Sequence, residues 1–373
     1  MKSTYNIRWI GPVLLLALAP FWAFAKQDFT KTIKKEFEIS SDGITSISNR
    51  YGRVEVKTWD KNRVKIDVTI VVKAGSESEA QKVFDRIQVN FANTAGTVSA
   101  ETSIESQKNT WWGSWNSSRT DFSINYDVFV PTTGTVELAN KYGDLYLAPY
   151  NGKANIEVKY GNCRLEGLNG PATLALAYGN GSIGQVKQLQ ADAQYCRLLI
   201  KEARDLQLDS KYSKITVDQC ETLRCETRYD TYSIGAVKDL TNSGKYDNFE
   251  VKTAERINIM TEYTDLSIGK IQVKADLNLK YGGASIQDLA RGFDAIVIQG
   301  KYADFKVGMN SGIPYRIDFF QAYAGIRYPE GMKVTLEKER GTSHQVEGHS
   351  GSSSEGGVIK AKLAYGGLKV QQN

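Results

Sequence analysis

The sequence predicts an all-β fold: a single-stranded parallel β-solenoid, or β-helix, with coils of about 17–21 residues. Three observations predict it: a tyrosine at nearly fixed spacing, apolar pairs on both sides of it, and a turn-forming residue after it. Each gap between the tyrosines is 17, 18 or 21 residues long. The recurring residues are Tyr142, Tyr160, Tyr178, Tyr195, Tyr212, Tyr229, Tyr246, Tyr263, Tyr281, Tyr302 and Tyr323.

The apolar pairs predict two short strands in each coil. Leu145 and Leu147 follow one tyrosine, and Leu174 and Leu176 precede another. One residue separates the members of each pair, which is the period of a strand. Neighbouring coils would pair at about 4.8 Å, so that equivalent residues stack into columns. We therefore expect an apolar core and a ladder of touching tyrosine rings. If that ladder is buried, replacing Tyr229 with alanine would cost several kcal/mol.

The residue after each tyrosine is small or turn-favouring, which predicts a sharp bend there. These residues are Gly143, Gly161, Gly179, Ser213, Asp247, Gly282 and Ala303.

Charged residues flank the tyrosines and predict a basic column beside an acidic one on the outer surface. The basic residues are Lys141, Lys159, Lys211, Arg228, Lys245, Lys280 and Lys301, and the acids are Asp144, Asp230, Asp247, Asp265 and Asp304. A solvated face with pairing between coils is the favoured interpretation, and a partner-binding stripe is the alternative.

Residues 1–25 have the pattern of a signal peptide. Lys2 and Arg8 precede an apolar stretch, and Ala23-Phe24-Ala25 forms a cleavage signal. We expect export to the periplasm or to the surface of a Gram-negative bacterium, with no transmembrane segment in the mature chain. Removing the two basic residues lowers the formal charge from +5 to +3. Such a charge is too small to indicate nucleic-acid binding.

The rest of the chain divides into three predicted regions. Residues 26–130 form a cap with early coils, a helix at about 77–88 after the capping box Ser76-x-x-Glu79, and a Trp-rich loop at 108–119. Residues 131–330 form the Tyr-ladder solenoid. Residues 331–373 form a closing coil with a mobile Gly/Ser loop at 341–357.

Three tryptophans, Trp111, Trp112 and Trp115, stand close together in a polar segment. Exposed aromatic side chains of this kind bind glycans or partner proteins. Packing against the cap or the side of the solenoid is the alternative. These residues are the candidate partner-binding or glycan-binding site.

Metal, cofactor and disulfide chemistry find little support in the sequence. The only histidines, His344 and His349, flank Glu347 in the Gly/Ser-rich stretch, and we expect them to be solvated rather than metal-bound. The cysteines are Cys163, Cys196, Cys220 and Cys225. We expect mostly structural thiols, with a local pair between Cys220 and Cys225 as a possibility that export would allow. We expect no cofactor.

Catalysis also lacks a plausible constellation. The repeats contain no histidine, and their acids are spread along the rod at the coil corners. That distribution is typical of turn chemistry rather than of one convergent pocket. We therefore predict a protein that is not an enzyme, with no catalytic residues.

Two ordered motifs resemble a known family. They are Asn49-Arg50-Tyr51-Gly52-Arg53-Val54-Glu55-Val56 and Asn140-Lys141-Tyr142-Gly143-Asp144-Leu145, with the predicted helix and Tyr126-x-Val128-x-Val130-Pro131 between them. In this order they resemble the DUF4097 "putative adhesin" family of exported proteins, common in Bacteroidota. The resemblance implies a right-handed β-helix without catalytic residues.

The resulting functional hypothesis is a non-enzymatic exported β-solenoid that acts as an adhesin-like or cell-envelope scaffold protein. Its partners would be envelope or surface proteins or glycans. One alternative is a periplasmic accessory protein of envelope signalling. A second alternative is a carbohydrate-binding or carbohydrate-active β-helix.

Overall fold

The computed structural model describes residues 26–105, 121–351 and 356–372. Over these residues the chain is a β-solenoid with one short helix, which confirms the predicted fold class. The predicted signal peptide and Trp111, Trp112 and Trp115 lie outside the described residues.

The elements follow one another along the chain with one helix near the start. The first half contains β1 (Gln27–Glu38), β2 (Ile44–Arg50), β3 (Val54–Trp59), β4 (Arg63–Ala74), α1 (Glu77–Phe84), β5 (Ile87–Asn93), β6 (Thr97–Ile104), β7 (Asp121–Pro131), β8 (Thr135–Lys141), β9 (Leu145–Leu147), β10 (Lys153–Lys159), β11 (Cys163–Ala177) and β12 (Asn180–Gln194). The second half contains β13 (Arg197–Lys211), β14 (Lys214–Arg228), β15 (Thr231–Lys245), β16 (Asn248–Leu289), β17 (Ala295–Met309), β18 (Tyr315–Ala322), β19 (Gly325–Arg327), β20 (Lys333–Arg340), β21 (Ser343–Ser350), β22 (Gly357–Ala364) and β23 (Gly367–Gln372).

The parallel register of the central coils follows the tyrosine period. Arg197 pairs with Lys214, Lys214 with Thr231, and Thr231 with Asn248. Each pairing joins residues 17 positions apart, the same number that separates the tyrosines in this stretch. Equivalent positions therefore stack directly on one another.

The core consists of such stacked columns. The third residue after each central tyrosine lies in one of them, and its side chains are almost fully buried: Leu198, Ile215, Tyr232, Phe249 and Leu266. Within this column the rings of Tyr232 and Phe249 stack with 4.7 Å between their centroids. The apolar pairs of the sequence are thus confirmed as core residues.

The tyrosine ladder lies on the surface, at the corner of the coils. Consecutive rings stack with 4.7–5.1 Å between centroids, which is close to the spacing of the strands that carry them. Its members in spatial order are Tyr51, Tyr142, Tyr160, Tyr178, Tyr195, Tyr212, Tyr229, Tyr246, Tyr263, Tyr281, Tyr302, Tyr365 and Tyr323. The predicted contact between rings is confirmed. The hypothesis that the ladder is buried is wrong, because Tyr229 is 45% exposed.

The sharp bend of each coil is made by the tyrosine itself. All thirteen ladder tyrosines have φ between 52° and 63°, in the left-handed region. The predicted bend is present and includes both Tyr142 and Gly143, but its left-handed residue is Tyr142, since the φ of Gly143 is not positive. The space at Gly143 explains its small size instead: a Cβ there would lie 1.9 Å from the backbone oxygen of Gly52 in the preceding coil.

Replacing Tyr229 with alanine should therefore cost about 2 kcal/mol, from the loss of two ring contacts worth about 0.5–1.5 kcal/mol each. Tyr229→Gly should cost less than Tyr229→Ala, because glycine adopts a φ of 58° without strain. Urea unfolding of both variants beside Tyr229→Phe measures the effect. A glycine variant that is less stable than the alanine variant would contradict this account of the corner.

Both ends of the rod contain a coil that is inserted out of chain order. At the C-terminal end, β22 lies between β17 and β18, and β23 lies between β17 and β19. Tyr365 accordingly stacks between Tyr302 and Tyr323. At the other end, β2 lies between β6 and β8, and β3 lies between β7 and β9.

Antiparallel strands and the helix complete the N-terminal end. Strand β4 pairs with both β1 and β7, and β5 pairs with β6. The hydroxyl of Ser76 accepts a hydrogen bond from Glu79 N at 3.3 Å, as the capping box predicts. Helix α1 ends at Phe84 rather than at about 88, because β5 begins at Ile87. Its residues Ala80, Val83 and Phe84 are buried.

The C-terminal end differs from the expectation of a mobile loop at 341–357. Residues 343–350 form β21, which pairs antiparallel with both β18 and β20. The prediction of a mobile loop is wrong for these residues. The side chain of Val346 is fully buried and holds β21 in place despite the many glycines and serines around it.

The four cysteines are free thiols, so the possible pair between Cys220 and Cys225 is not formed. Their Sγ atoms point to different neighbours: Cys220 donates to Thr222 O at 3.1 Å, and Cys225 donates to Thr241 O at 3.6 Å. Burial raises the pKa of Cys163, Cys220 and Cys225 to about 12. The thiols are therefore unreactive core residues, as expected.

Candidate interaction surface

The tyrosine ladder and the cations beside it form an extended surface feature. Neighbouring rings cover most of one another's faces, so the ladder presents ring edges and hydroxyl groups to solvent. Five lysines place Nζ 5.0–5.9 Å from the centroid of the adjacent tyrosine ring. They are Lys141, Lys159, Lys211, Lys280 and Lys301. Cations at such distances are attracted by the ring electrons.

Part of the basic column is paired between coils. Glu262 occupies a position in the column itself and contacts Lys245 at 3.2 Å and Lys280 at 3.4 Å. The hydrogen bond from Lys245 lowers the pKa of this carboxyl group. Lys141, Lys159 and Lys211 have no acidic partner among the residues that the structure describes. The column is therefore neutralised near Glu262 and stays cationic toward the N-terminal end.

The predicted acidic column divides into two. Asp144, Asp265 and Asp304 stand two residues after a tyrosine and are exposed. Asp230 and Asp247 stand one residue after a tyrosine and are buried, with 3% and 6% of their surface exposed. For these two the expectation of an outer surface position is wrong, because the residue directly after the tyrosine points into the coil.

The buried aspartates close the corners of neighbouring coils. Asp247 Oδ1 accepts from Asp230 N at 2.9 Å, and its Oδ2 accepts from the Thr227 hydroxyl at 2.7 Å. Asp230 Oδ1 accepts from Ser213 N at 2.7 Å in the same way. Burial raises the pKa of both carboxyl groups, that of Asp247 to about 6. The corners after Tyr229 and Tyr246 thus use a carboxylate that accepts from the backbone N–H of the equivalent residue in the preceding coil.

Asp247 should make the stability depend on pH. Its folded pKa of about 6 lies above the ordinary value of 3.8, so the folded state binds this proton more tightly. The stabilising contribution is fully present below pH ~4 and is lost as the pH rises through 6. We expect the stability of the wild type relative to Asp247→Asn to decrease between pH 4 and 7. Unfolding midpoints across that range measure it, and a constant difference would contradict the assignment.

The structure does not bring His344, Glu347 and His349 together. His344 Nε2 lies 3.0 Å from Glu337 Oε1, whereas His349 Nδ1 lies 2.9 Å from the backbone oxygen of Gly351. Positions 344 and 349 are an odd number of residues apart on β21, so the two side chains lie on opposite faces. The acidic neighbours of His344 come instead from β20. The alternating Glu337 and Glu339 in the sequence were the signal for this cluster.

A shallow groove runs along the strands that precede the tyrosines. Its floor carries an amide row and a carboxylate row on successive coils. These rows contain Gln190, Gln207, Asp192, Asp209 and Glu226. Partial burial raises the pKa of Asp209, and the charges of Asp192 and Glu226 contribute to the shift. The regular spacing of these residues is visible in the sequence, but they were not predicted as a site.

The described residues contain no helix that is both long and apolar enough to span a membrane.

No family model matches the chain, and no curated protein matches it. Similar solved structures include a "putative cell adhesion protein" of Clostridium sporogenes, with 8% identity, 92% of this chain and 100% of that chain covered, and a TM-score of 0.20. A "putative adhesin" of Parabacteroides merdae has 11% identity, coverage of 92% and 97%, and a TM-score of 0.25. A "putative lipid binding protein" of Parabacteroides distasonis has 10% identity, coverage of 91% and 97%, and a TM-score of 0.22. Scores below 0.5 carry no argument, so the fold rests on the strand register of this chain.

Proposed function

We propose that this protein is a non-enzymatic, exported binding protein of the cell envelope, with an adhesin-like or scaffold role. The observation that carries the proposal is the uninterrupted ladder of thirteen stacked tyrosines, whose half-exposed edges form one face from Tyr51 to Tyr323. A face that repeats every 4.7–5.1 Å suits an extended partner that is contacted at many equivalent points. The resemblance of the two ordered motifs to the DUF4097 "putative adhesin" family supports the same role.

The N-terminal end of the ladder adds a further contact to this proposal. Phe122 extends the ladder, since its ring meets that of Tyr51 edge-on with 5.5 Å between centroids. In the sequence, Trp111, Trp112 and Trp115 precede Phe122 by 7 to 11 residues. We propose these three tryptophans as additional partner-binding or glycan-binding residues.

Export is the second component of the proposal. It is supported by the signal-peptide pattern of residues 1–25, and it leaves the periplasm and the cell surface as the two compartments. At the surface the protein would act as an adhesin. In the periplasm it would act as an accessory or scaffold protein of the envelope.

The proposed binding face can be tested by charge reversal. Beads coated with the purified chain are allowed to attach to mucin-coated glass and to intact cells of the organism that makes the protein. A triple variant replaces Lys141, Lys159 and Lys211 with glutamate. A control variant replaces three exposed cations on another face with glutamate, which gives the same change in net charge: Lys187, Arg204 and Lys238.

We expect the ladder-side variant to lose most of the attachment and the control variant to keep it. The melting temperatures of both variants are measured beside that of the wild type, because the three ladder lysines are half-buried beside tyrosine rings and Arg204 and Lys238 pair with acids. Equal attachment of all three chains, or no attachment above that of albumin-coated beads, would contradict a binding role for this face.

The polar groove supports glycan binding as a second candidate function. Amide and carboxylate groups are the side chains that hydrogen-bond sugar hydroxyls, and Gln190 and Gln207 present amides in a row beside the carboxylate of Asp209. Retention of the chain on immobilised polysaccharides, compared with that of a Gln190→Ala/Gln207→Ala variant, tests it. Retention that does not change in the variant would exclude the groove.

A further inference from the structure

From the geometry of the C-terminal antiparallel strands we infer a zinc-binding site formed by Glu337, Glu339 and His344. One ligand atom from each side chain lies within 4.8 Å of the others. His344 Nε2 is 3.0 Å from Glu337 Oε1 and 3.9 Å from Glu339 Oε1. Two donors bound to one tetrahedral zinc ion are about 3.3 Å apart, so small side-chain rotations suffice.

The strand register places these three residues together. His344 on β21 pairs directly with Glu339 on β20, and Glu337 is the diagonal neighbour on the same face. The site is therefore held by two strands rather than by one mobile segment. All three side chains reach solvent, which allows water to complete the coordination of the metal.

A buried glutamine on the opposite side of His344 supports a ligand role for this histidine. Gln321 pairs with His344 across β18 and β21, and its amide lies 3.2 Å from Nδ1. Its side chain is only 8% exposed, and its Oε1 has no hydrogen-bond partner among the described residues. A half-turn of the amide would keep one hydrogen bond to the ring and reverse its direction. Oε1 would then accept the Nδ1 proton and leave the Nε2 lone pair directed at the two carboxylates.

The composition of the site indicates its metal. An imidazole nitrogen with two carboxylates is a ligand set that zinc accepts in proteins, and a partner on the other ring nitrogen is the usual way to orient the imidazole. Calcium and magnesium prefer oxygen ligands only, so they should bind weakly here. A bound zinc ion would also tie β20, an exposed edge strand, to its neighbour.

Titration calorimetry of the intact chain with zinc chloride tests the inference. The variants are His344→Ala, Glu337→Gln and Gln321→Leu, and the control is His349→Ala on the opposite face of the same strand. We expect one zinc ion per wild-type chain, loss of binding in His344→Ala, and weakening by about 10–100-fold in Gln321→Leu, as for other supporting partners. Glu337→Gln should weaken binding, and His349→Ala should leave it unchanged.

Three results would overturn the inference. One is no zinc binding by the wild type. Another is equal binding by His344→Ala, which would place the metal elsewhere, for example at a cysteine. The third is equal loss in His344→Ala and His349→Ala. Thermal unfolding in metal-free buffer checks that each variant folds, and added zinc should raise the midpoint of the wild type but not that of His344→Ala.

Discussion

Replacing Phe249 with alanine is expected to lower the free energy of unfolding by about 3–5 kcal/mol, the usual range for a fully buried phenylalanine. The side chain is 0% exposed and stacks on Tyr232 in the middle of the rod. The surrounding strands are fixed by pairing with coils on both sides, so they can close the resulting cavity only partly. Because each coil contacts only its neighbours, a defect here weakens two interfaces at once.

A matched control lies in the same coil. Tyr246 is three residues earlier, is 45% exposed and belongs to the surface ladder. Tyr246→Ala should cost about 2 kcal/mol, since it loses ring contacts but leaves no internal cavity. Urea unfolding followed by circular dichroism compares the two variants. A larger loss in Tyr246→Ala than in Phe249→Ala would contradict the assignment of the core to the inner columns.

Gly161→Ala is expected to cost about 3 kcal/mol, at the upper end of overpacking effects. A Cβ at Gly161 would lie 2.0 Å from the backbone oxygen of Gly143 and 2.7 Å from its carbonyl carbon. Backbone atoms cannot rotate away as a side chain can, so two coils would have to separate locally. The same argument applies to Gly179, where an added Cβ would lie 1.8 Å from the backbone oxygen of Gly161.

The control for this prediction is Gly167→Ala in the next strand. The nearest atom to a Cβ at Gly167 is the Cβ of Pro149 at 3.9 Å, an ordinary contact. Its stability should stay within about 0.5 kcal/mol of the wild type. Thermal melting of both alanine variants decides the point, and a stable, fully folded Gly161→Ala protein would show that the corner glycines are not needed for close coil packing.

The period of the tyrosines was enough to predict the register, because a residue offset of 17 or 18 fixes which backbone groups can pair. The same period could not show that the backbone of the tyrosine lies in the left-handed region. Aromatic residues rarely adopt that conformation, and a glycine, which adopts it readily, often follows the tyrosine in the sequence. The insertion of β22 and β23 beside β17 was also not predictable. The motif at Tyr365 reveals a coil, but its place in the stack is decided by tertiary pairing.

The candidate surfaces were predictable to different degrees. The basic residues beside the ladder were visible as residues preceding each tyrosine, and the structure adds that Glu262 neutralises part of the column. The inward position of Asp230 and Asp247 could be predicted only from the orientation of the corner, which the sequence does not show. The cluster of Glu337 with His344 required the antiparallel register of β20 and β21, which the Gly/Ser-rich sequence concealed.

The most direct test of the central claim is the accessibility of the ladder-side lysines on living cells. Intact and lysed cells are treated with a polymer-linked amine reagent that is too large for outer-membrane pores. Modification of Lys141, Lys159 and Lys211 is then measured by mass spectrometry. The adhesin-like role predicts modification on intact cells. Modification only after lysis would contradict that role and would favour a periplasmic accessory protein.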